Sequence, residues 1–382
     1  MVFEKELTEE QVLLRDAARE FCEKRVVPRA EEFDHAERLA DDLLAELGEL
    51  GYMGLLVPEL YGGMECDPIS YALVIEQFAR ACAGLSITVS VHNSLAIGSI
   101  NNFGNDEQKT KWLPVLAAGG IGAYALTEPG AGTDAGALRL SAVADGDDYV
   151  LNGEKVFVTS ADYARLYVVF VSTDSSAESH GISAVVVERD TPGLEVGKAE
   201  RKLGIKCSDT RGLAFTDVRV PKANRLGEEG AGFKIALAQL DHGRLGVAVQ
   251  ALGIGEAAFA AARDYAKERR QFGRPISEFQ AIGFKLADMR VKLDAARLLI
   301  NRAYRLMAAG ERFTTAAAEA KLFASEAANW VANEAVQIHG GYGYMKEYPV
   351  ERYFRDARIT EIYEGTSEAQ RIVISRAVLA DG

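Results

Sequence analysis

The hydrophobic period of this chain changes twice, and that double change constrains its fold more than any other feature. Up to about residue 120, apolar residues recur at helical spacing. From about 121 to 230 they fall into short β-type runs, and from about 231 onward long Ala-rich helical patterns return. In the first block, Thr8-Glu9-Glu10-Gln11 fits a capping box and helical spacing then persists through Phe33. Segments 41–50 and 70–81 repeat the pattern across glycine-rich breaks such as ELYGGMECDP, and Pro114 with Gly119-Gly120 closes the block. In the middle block, Asp145-Gly146 and Asn152-Gly153 each lie between β-type runs and predict two hairpins. Segments 167–171, 183–187 and 213–220 predict further strands, with Thr191-Pro192-Gly193-Leu194 as a turn. The last block predicts helices over 233–269, 277–309, 314–339 and 367–379, lengths that suit a bundle. The expected architecture is α+β and multidomain. It has an N-terminal helical domain (1–120), a middle antiparallel β-barrel or sandwich domain (121–230) and a C-terminal four-helix bundle domain (231–382).

Charge narrows the function. The formal net charge is −13 and no Lys/Arg run exceeds a few residues, which argues against a nucleic-acid surface. An anionic ligand must find a local basic pocket. With 48% hydrophobic residues the chain can bury a sizeable core, yet no apolar run is read as long enough to span a membrane. The opening MVFEKELTEEQ is acidic, with neither a signal-peptide core nor an Arg-rich transit pattern. A bacterial cytoplasmic chain is expected, with a processed mitochondrial chain as the other fit. Cys22, Cys66, Cys82 and Cys207 lack metal-type spacing, the five histidines lack an H-E-x-x-H, and no metal site is expected.

Several motifs admit two readings each. Thr127-Glu128-Pro129-Gly130-Ala131-Gly132-Thr133-Asp134 has the wrong glycine spacing for a dinucleotide fingerprint, and β-type residues follow it. It reads as a tight turn, or as a loop whose small residues admit a flat ligand. In Lys155-Val156-Phe157-Val158-Thr159, alternation places Phe157 and Thr159 on one face and Val156 and Val158 on the other. That is an ordinary strand or a stacking surface for a planar heterocycle. Arg269-Arg270-Gln271-Phe272-Gly273-Arg274-Pro275 puts three arginines at a helix end, which suits either the helix dipole or a pyrophosphate. Gln337-Ile338-His339-Gly340-Gly341-Tyr342-Gly343 ends another helix with more glycines than a cap needs, and His339 reads as structural. Asp241 and Arg244 stand one helical turn apart, as an ion pair or as a polar anchor in a substrate channel. In Tyr363-Glu364-Gly365-Thr366-Ser367-Glu368-Ala369-Gln370, residues 367–370 fit a capping box, which places Glu364 in the turn ahead of a helix. Burial there would raise its carboxyl above the ordinary value and make it a better base.

Taken together, YALTEPGAGTD (124–134), GEKVFVTS (153–160), RRQFGRPISEFQ (269–280), AVQIHGGYGY (335–344) and ITEIYEGTSEAQ (359–370) resemble the acyl-CoA dehydrogenase family along nearly the whole chain. The closest resemblance is to its short-chain, butyryl-CoA branch. The resemblance implies two helical domains flanking a β domain, a homotetramer built as a dimer of dimers, and tightly bound FAD. Leu126, Thr127, Gly132 and Thr133 would line the flavin, with Phe157 and Thr159 packing and hydrogen-bonding near its ring. Phe157 stands where many relatives have Trp. Arg269, Gln271, Gln280, Gln337, Gly340 and Gly341 would hold the diphosphate and adenosine, partly across a subunit boundary, with Thr366 and Glu368 completing that site. Thr133, Asp241, Arg244 and Gly365 would contact the acyl-CoA, and Glu364 would be the base. The implied reaction removes the α proton of a short- to medium-chain acyl-CoA and a β hydride, the latter to flavin N5, giving the trans-2-enoyl-CoA. Backbone N–H at the base and a ribityl hydroxyl would stabilise the enolate oxygen. Electrons would pass to an electron-transfer flavoprotein.

Some relatives carry the base on the 241–244 helix, where this chain has Gly243. Ser86, where glutaryl-CoA relatives place an arginine, argues against a dicarboxyl substrate. Pocket depth, at side chains including 95–98, would set chain length. Two alternatives remain within the fold: a branched-chain dehydrogenase or acyl-CoA oxidase, and a non-catalytic assembly protein.

Overall fold

The computed structural model describes residues 6–380; residues 1–5, the start of the acidic N-terminal stretch, and 381–382 lie outside the described residues. The N-terminal helices are α1 (Glu9–Phe21), α2 (Ala30–Ala36), α3 (Asp41–Glu49), α4 (Pro68–Ala81), α5 (Ala83–Ser90), α6 (Gly98–Phe103) and α7 (Asp106–Ala117). Thr8 caps α1 in the expected box: it accepts from Gln11 N at 3.2 Å and its own N–H donates to Gln11 Oε1 at 3.1 Å. The helical spacing read through Phe33 is interrupted. The chain passes through a π turn (Cys22–Val26) and a 3-10 turn (Val27–Arg29) at Pro28 before α2 begins. Pro114, expected to close the block, lies inside α7, where buried Leu113, Leu116 and Ala117 hold the last turn in place despite the missing donor.

Helices α5 and α6, joined by the π-helical stretch Val91–Ile97, form a buried 21-residue run that patterning did not reveal. Its hydroxyls are satisfied locally, with Thr88, Ser94 and Ser99 donating to carbonyls four residues back at 2.7–2.9 Å. This run and Gly232–Glu268 are long and apolar enough to cross a membrane, with mean hydropathy 1.2 and 1.5, correcting the expectation that no such run exists. Their most apolar windows are 94% and 83% buried inside the protein, as core helices are.

The strands are β1 (Ile121–Ala125), β2 (Ser141–Asp145), β3 (Asp148–Thr159), β4 (Ala164–Ser172), β5 (Ile182–Glu188), β6 (Leu194–Ala199), β7 (Thr210–Pro221) and β8 (Arg225–Leu226). They run in the order β6-β7-β3-β2-β4-β5-β8, with β1 beside β4, and the sheet does not close. It is also mixed rather than antiparallel, since β1 and β2 both pair with β4 in parallel. The Asp145-Gly146 hairpin forms as expected between β2 and β3. The Asn152-Gly153 hairpin does not: that dipeptide lies inside β3, opposite a bulge in β7 at which Asp217 adopts φ 51°. The Asn152 amide clasps Asp217 across the strands, accepting from its N–H at 2.9 Å and donating to its carboxylate at 3.1 Å. Those two cross-strand bonds keep β3 extended where a turn was expected.

The long helices are α8 (Gly232–Glu268), α9 (Gln280–Ala308), α10 (Thr314–His339), α11 (Val350–Arg358) and α12 (Ser367–Ala380), with α11 additional to those expected. Between α8 and α9 the chain makes a small hairpin, β9 (Arg270–Gln271) with β10 (Arg274–Pro275). Phe272 (φ 50°) and Gly273 (φ 80°) form its two-residue turn, so Arg270 and Arg274 belong to a hairpin rather than to a helix end. Bundle and N-terminal helices are tied by buried charges. Arg297 on α9 grips Glu76 on α4 at 2.7 and 2.8 Å and Glu256 on α8 at 2.9 Å.

Candidate active site

The stretch after β1 is both a turn and a wall. Glu128 and Ala131 exchange backbone hydrogen bonds at 3.1 Å, while Thr127, Gly132 and Thr133 line a cavity of about 1710 Å³. Beneath it, buried Lys155 donates to Glu128 Oε1 at 2.7 Å and to the Leu126 carbonyl at 2.9 Å. Glu128 also accepts from the Arg139 and Leu140 N–H groups at 2.6 and 3.0 Å. Burial pushes the Lys155 ammonium down to about 8 against the pull of Glu128. Glu128→Ala is therefore expected to cost about 3–5 kcal/mol in chemical denaturation, because it leaves a buried cation alone. Adding Lys155→Met should recover part of that loss.

The alternation read over 155–159 fails at one residue. The register slips between Lys155 and Val158, and Phe157 adopts φ 57°. Val156 consequently faces the cavity along with Phe157 and Thr159, while Lys155 and Val158 point into the protein. Phe157 remains 64% exposed, an aromatic face open to the cavity.

The far wall comes from the bundle. Glu364 and Gly365, at φ 53° and 89°, turn the chain left-handed just before α12, a conformation that a non-glycine residue adopts only when its surroundings impose it. Residue 364 is partly open to the cavity, but its Oε2 is shut off from water and has no hydrogen-bond partner among the described residues. Desolvation raises its carboxyl to about 7, moderated by the nearby Lys321 and Arg244 cations. Leu95, Val91, Tyr124 and Tyr363 make the setting apolar. The Tyr363 hydroxyl is held by Gln250 on α8.

The capping box expected over 367–370 is displaced by one residue. Thr366 is the cap, accepting from Ala369 N at 3.2 Å. The Gln370 amide turns back to the Glu364 and Gly365 carbonyls at 3.3 and 2.8 Å. Arg244 bonds Asp241 at 2.5 Å, and Thr314 donates to the other Asp241 oxygen at 2.7 Å. The bland ion pair therefore exists, yet Arg244 lines the cavity and its Nε has no acceptor among the described residues.

The sequence-predicted residues thus separate. Leu126, Thr127, Gly132, Thr133, Phe157, Thr159, Arg244, Glu364, Gly365 and Thr366 share the main cavity. Arg269, Gln271, Gly340 and Gly341 line a second one of about 600 Å³ at the small hairpin. Asp241, Gln280, Gln337 and Glu368 line neither, and the last three are exposed. His339 is structural, stacked on Tyr265 at 4.1 Å with Nδ1 on the Ala335 carbonyl at 2.8 Å. Sequence reasoning missed Tyr124, Gln250 and above all Lys321, whose Nζ donates to the Gly365 carbonyl at 2.6 Å. Its signal was present. Ala317, Ala318, Ala324 and Ser325, three and four residues away on α10, are all buried, so position 321 lies on the inward face.

Fold and site define an enzyme of three parts that presents one desolvated carboxylate to a cavity larger than a single ligand needs. Family models described as Acyl-CoA dehydrogenase N-terminal domain, middle domain and C-terminal domain match residues 8–120, 123–218 and 230–379. A relative named "Acyl-CoA dehydrogenase, short-chain specific", from Clostridium acetobutylicum, is 48% identical over 370 residues, covering 97% of this chain and 98% of its own. The structure of butyryl-CoA dehydrogenase from Megasphaera elsdenii superposes with TM-score 0.96 at 48% identity, over 98% of this chain and 99% of that one. A chain of a structure described as the electron transferring flavoprotein of Acidaminococcus fermentans, in a study of flavin-based electron bifurcation, gives TM-score 0.96 at 51% identity, over 98% of each chain. The chain belongs to the acyl-CoA dehydrogenase family, and its enzyme class is that of an acyl-CoA dehydrogenase.

Proposed function

We propose that this enzyme converts short- to medium-chain acyl-CoA thioesters to trans-2-enoyl-CoA, with Glu364 removing the α proton. The observation that carries this reading is the buried, unpartnered Glu364 Oε2 at the cavity wall. A carboxylate with no hydrogen bond to satisfy, in an apolar setting, is primed to take a proton from carbon.

FAD fits the residues present. The cavity exceeds the roughly 300–1,000 Å³ of ordinary ligand sites, leaving room for a cofactor and a thioester together. A Cβ at Gly130 or Gly132 would meet nothing within 4 Å, and the open Phe157 face suits a flat heterocycle. Leu126, Thr127, Gly132, Thr133, Phe157, Thr159 and Thr366 would hold it. When bound, FAD supplies the two-electron acceptor for the β hydride. The chain's own residues do the rest. The Glu364 side chain accepts the α proton, and Leu95, Val91 and Tyr124 keep water from that carboxyl. The Glu364 N–H goes to no carbonyl among the described residues, which leaves it for the enolate oxygen. Asp241, with both oxygens engaged, positions Arg244 rather than meeting substrate itself.

Arg269, Gln271, Gln280, Gln337, Gly340, Gly341 and Glu368 would serve the cofactor of a second copy, in a homotetramer built as a dimer of dimers. Two features support this: their separation from the main cavity, and the apolar residues Phe284, Val291 and Leu298, 60%, 67% and 53% exposed at seven-residue spacing along α9. An electron-transfer flavoprotein is the proposed acceptor, and a bacterial cytoplasm the proposed setting. A panel of acyl-CoA thioesters from four to sixteen carbons tests the reading. Flavin bleaching without oxygen by the short members, with electrons passing to electron-transfer flavoprotein, is expected. No bleaching by any straight-chain thioester would overturn it, and peroxide formation under air would mark an oxidase instead.

A further inference from the structure

Lys321 is a buried cation without a carboxylate partner. Its side chain has 0% exposure, and among the described residues its ammonium meets a carbonyl rather than an acid. Of its three donors, one has an acceptor among the described residues, the Gly365 carbonyl at 2.6 Å. A buried lysine is rarely left in this state, because removing an ammonium from water is costly unless an opposite charge compensates. The compensating charge here is Glu364, whose Oε2 is itself buried and unbonded. Two desolvated opposite charges thus sit beside one another without touching.

The arrangement has a chemical logic. A direct ion pair to Glu364 would hold its carboxyl low and occupy the lone pairs that must receive a proton. Without any nearby cation, burial would leave the acid protonated at neutral pH. An ammonium fixed to the neighbouring carbonyl avoids both outcomes. The same bond holds the backbone, since the Gly365 carbonyl also receives Gln370 Nε2 at 2.8 Å, and together they clamp the left-handed pair at 364–365. We propose that Lys321 is a positioning residue that clamps the base loop through the Gly365 carbonyl and supplies the counter-charge governing ionisation of Glu364. This rests on the reading of Glu364 as the base. The other groups facing Glu364 are Arg244 on α8, Tyr124 on β1 and the adjoining Tyr363, while Glu361 and Glu368 also act on Lys321. Burial lowers Lys321 itself to about 8, so it is charged at neutral pH.

The test titrates Glu364 directly in the flavin-loaded enzyme, as the carboxylate infrared band present in wild type and absent from Glu364→Gln. Lys321→Gln keeps a hydrogen-bond donor and removes the charge, Lys321→Met removes both, and Lys321→Arg keeps both. The titration midpoint should rise by roughly one pH unit or more in the Gln and Met variants and stay near wild type in the Arg variant. The acid limb of kcat/KM should move by the same amount. A midpoint unmoved in Lys321→Gln overturns the proposal, and that variant decides the matter if Lys321→Met does not fold. The infrared readout needs no turnover. Full activity in Glu364→Gln would refute the base while the band still reports whether Lys321 governs that carboxyl.

Discussion

Glu364→Gln is expected to retain its flavin and lose turnover by about 10²–10⁴-fold, the usual contribution of a placed general base. Gln matches Glu in shape, so the left-handed turn at 364–365 and the Gln370 bonds to its carbonyls remain available. Flavin absorbance with acyl-CoA added under anaerobic conditions gives the readout: the yellow colour should persist where wild type bleaches. Full bleaching at the wild-type rate would remove the assigned base. As the proposed base, Glu364 works only when ionised, and its carboxyl is raised to about 7. Hence kcat/KM should fall about tenfold per pH unit below 7 and level off above it. Stability moves the other way. The folded state holds this proton more tightly than the unfolded chain, so wild type loses stability as pH rises from the ordinary 4.5 to about 7. Glu364→Gln removes that penalty and should raise Tm relative to wild type at pH 8 but not at pH 4.

The sequence signals that proved reliable were those in which one local interaction decides the outcome. The Thr8 capping box, the Asp145-Gly146 hairpin and the span of α10 formed as read, because each is settled within a few residues. Signals that depend on a distant partner misled. Asn152-Gly153 carries the chemistry of a turn, but Asp217 on β7 takes the Asn152 amide and the strand continues. Ser367-Glu368-Ala369-Gln370 has the pattern of a capping box, but Thr366 takes the cap while Gln370 reaches back to the turn at 364–365. The run through α5 and the π-helical stretch after it is buried on every side, so it presents no polar stripe to mark it as helix. At the site, motif resemblance located Thr127, Thr133, Phe157 and Glu364 on the wall of the main cavity. Lys321 escaped because a lysine in an Ala-rich helix reads as solvated unless its neighbours at three and four residues are weighed with it.

Gly243→Ala should damage catalysis while leaving the fold as stable as before or more so. In the sequence, Gly243 counts only as the absence of a rival base; in the structure it has a role of its own. A Cβ at 243 would stand 2.5 Å from Glu364 Oε2 and 3.1 Å from both its carboxyl carbon and Leu95 Cδ2. Glycine inside α8 therefore creates the space in which the carboxylate rests. The obstructing atoms are the end of a flexible side chain, so the helix need not move and the carboxylate must. Replacing a mid-helix glycine by alanine also favours the helix by about 1 kcal/mol. A displacement near 1 Å at a reacting group costs on the order of 10²-fold. The expected result is a loss of that size in kcat, with flavin retained and Tm unchanged or higher. A destabilised variant with normal kcat would show the opposite: that the glycine serves packing between α8 and the Leu95 helix, and that the base does not depend on the space beside it.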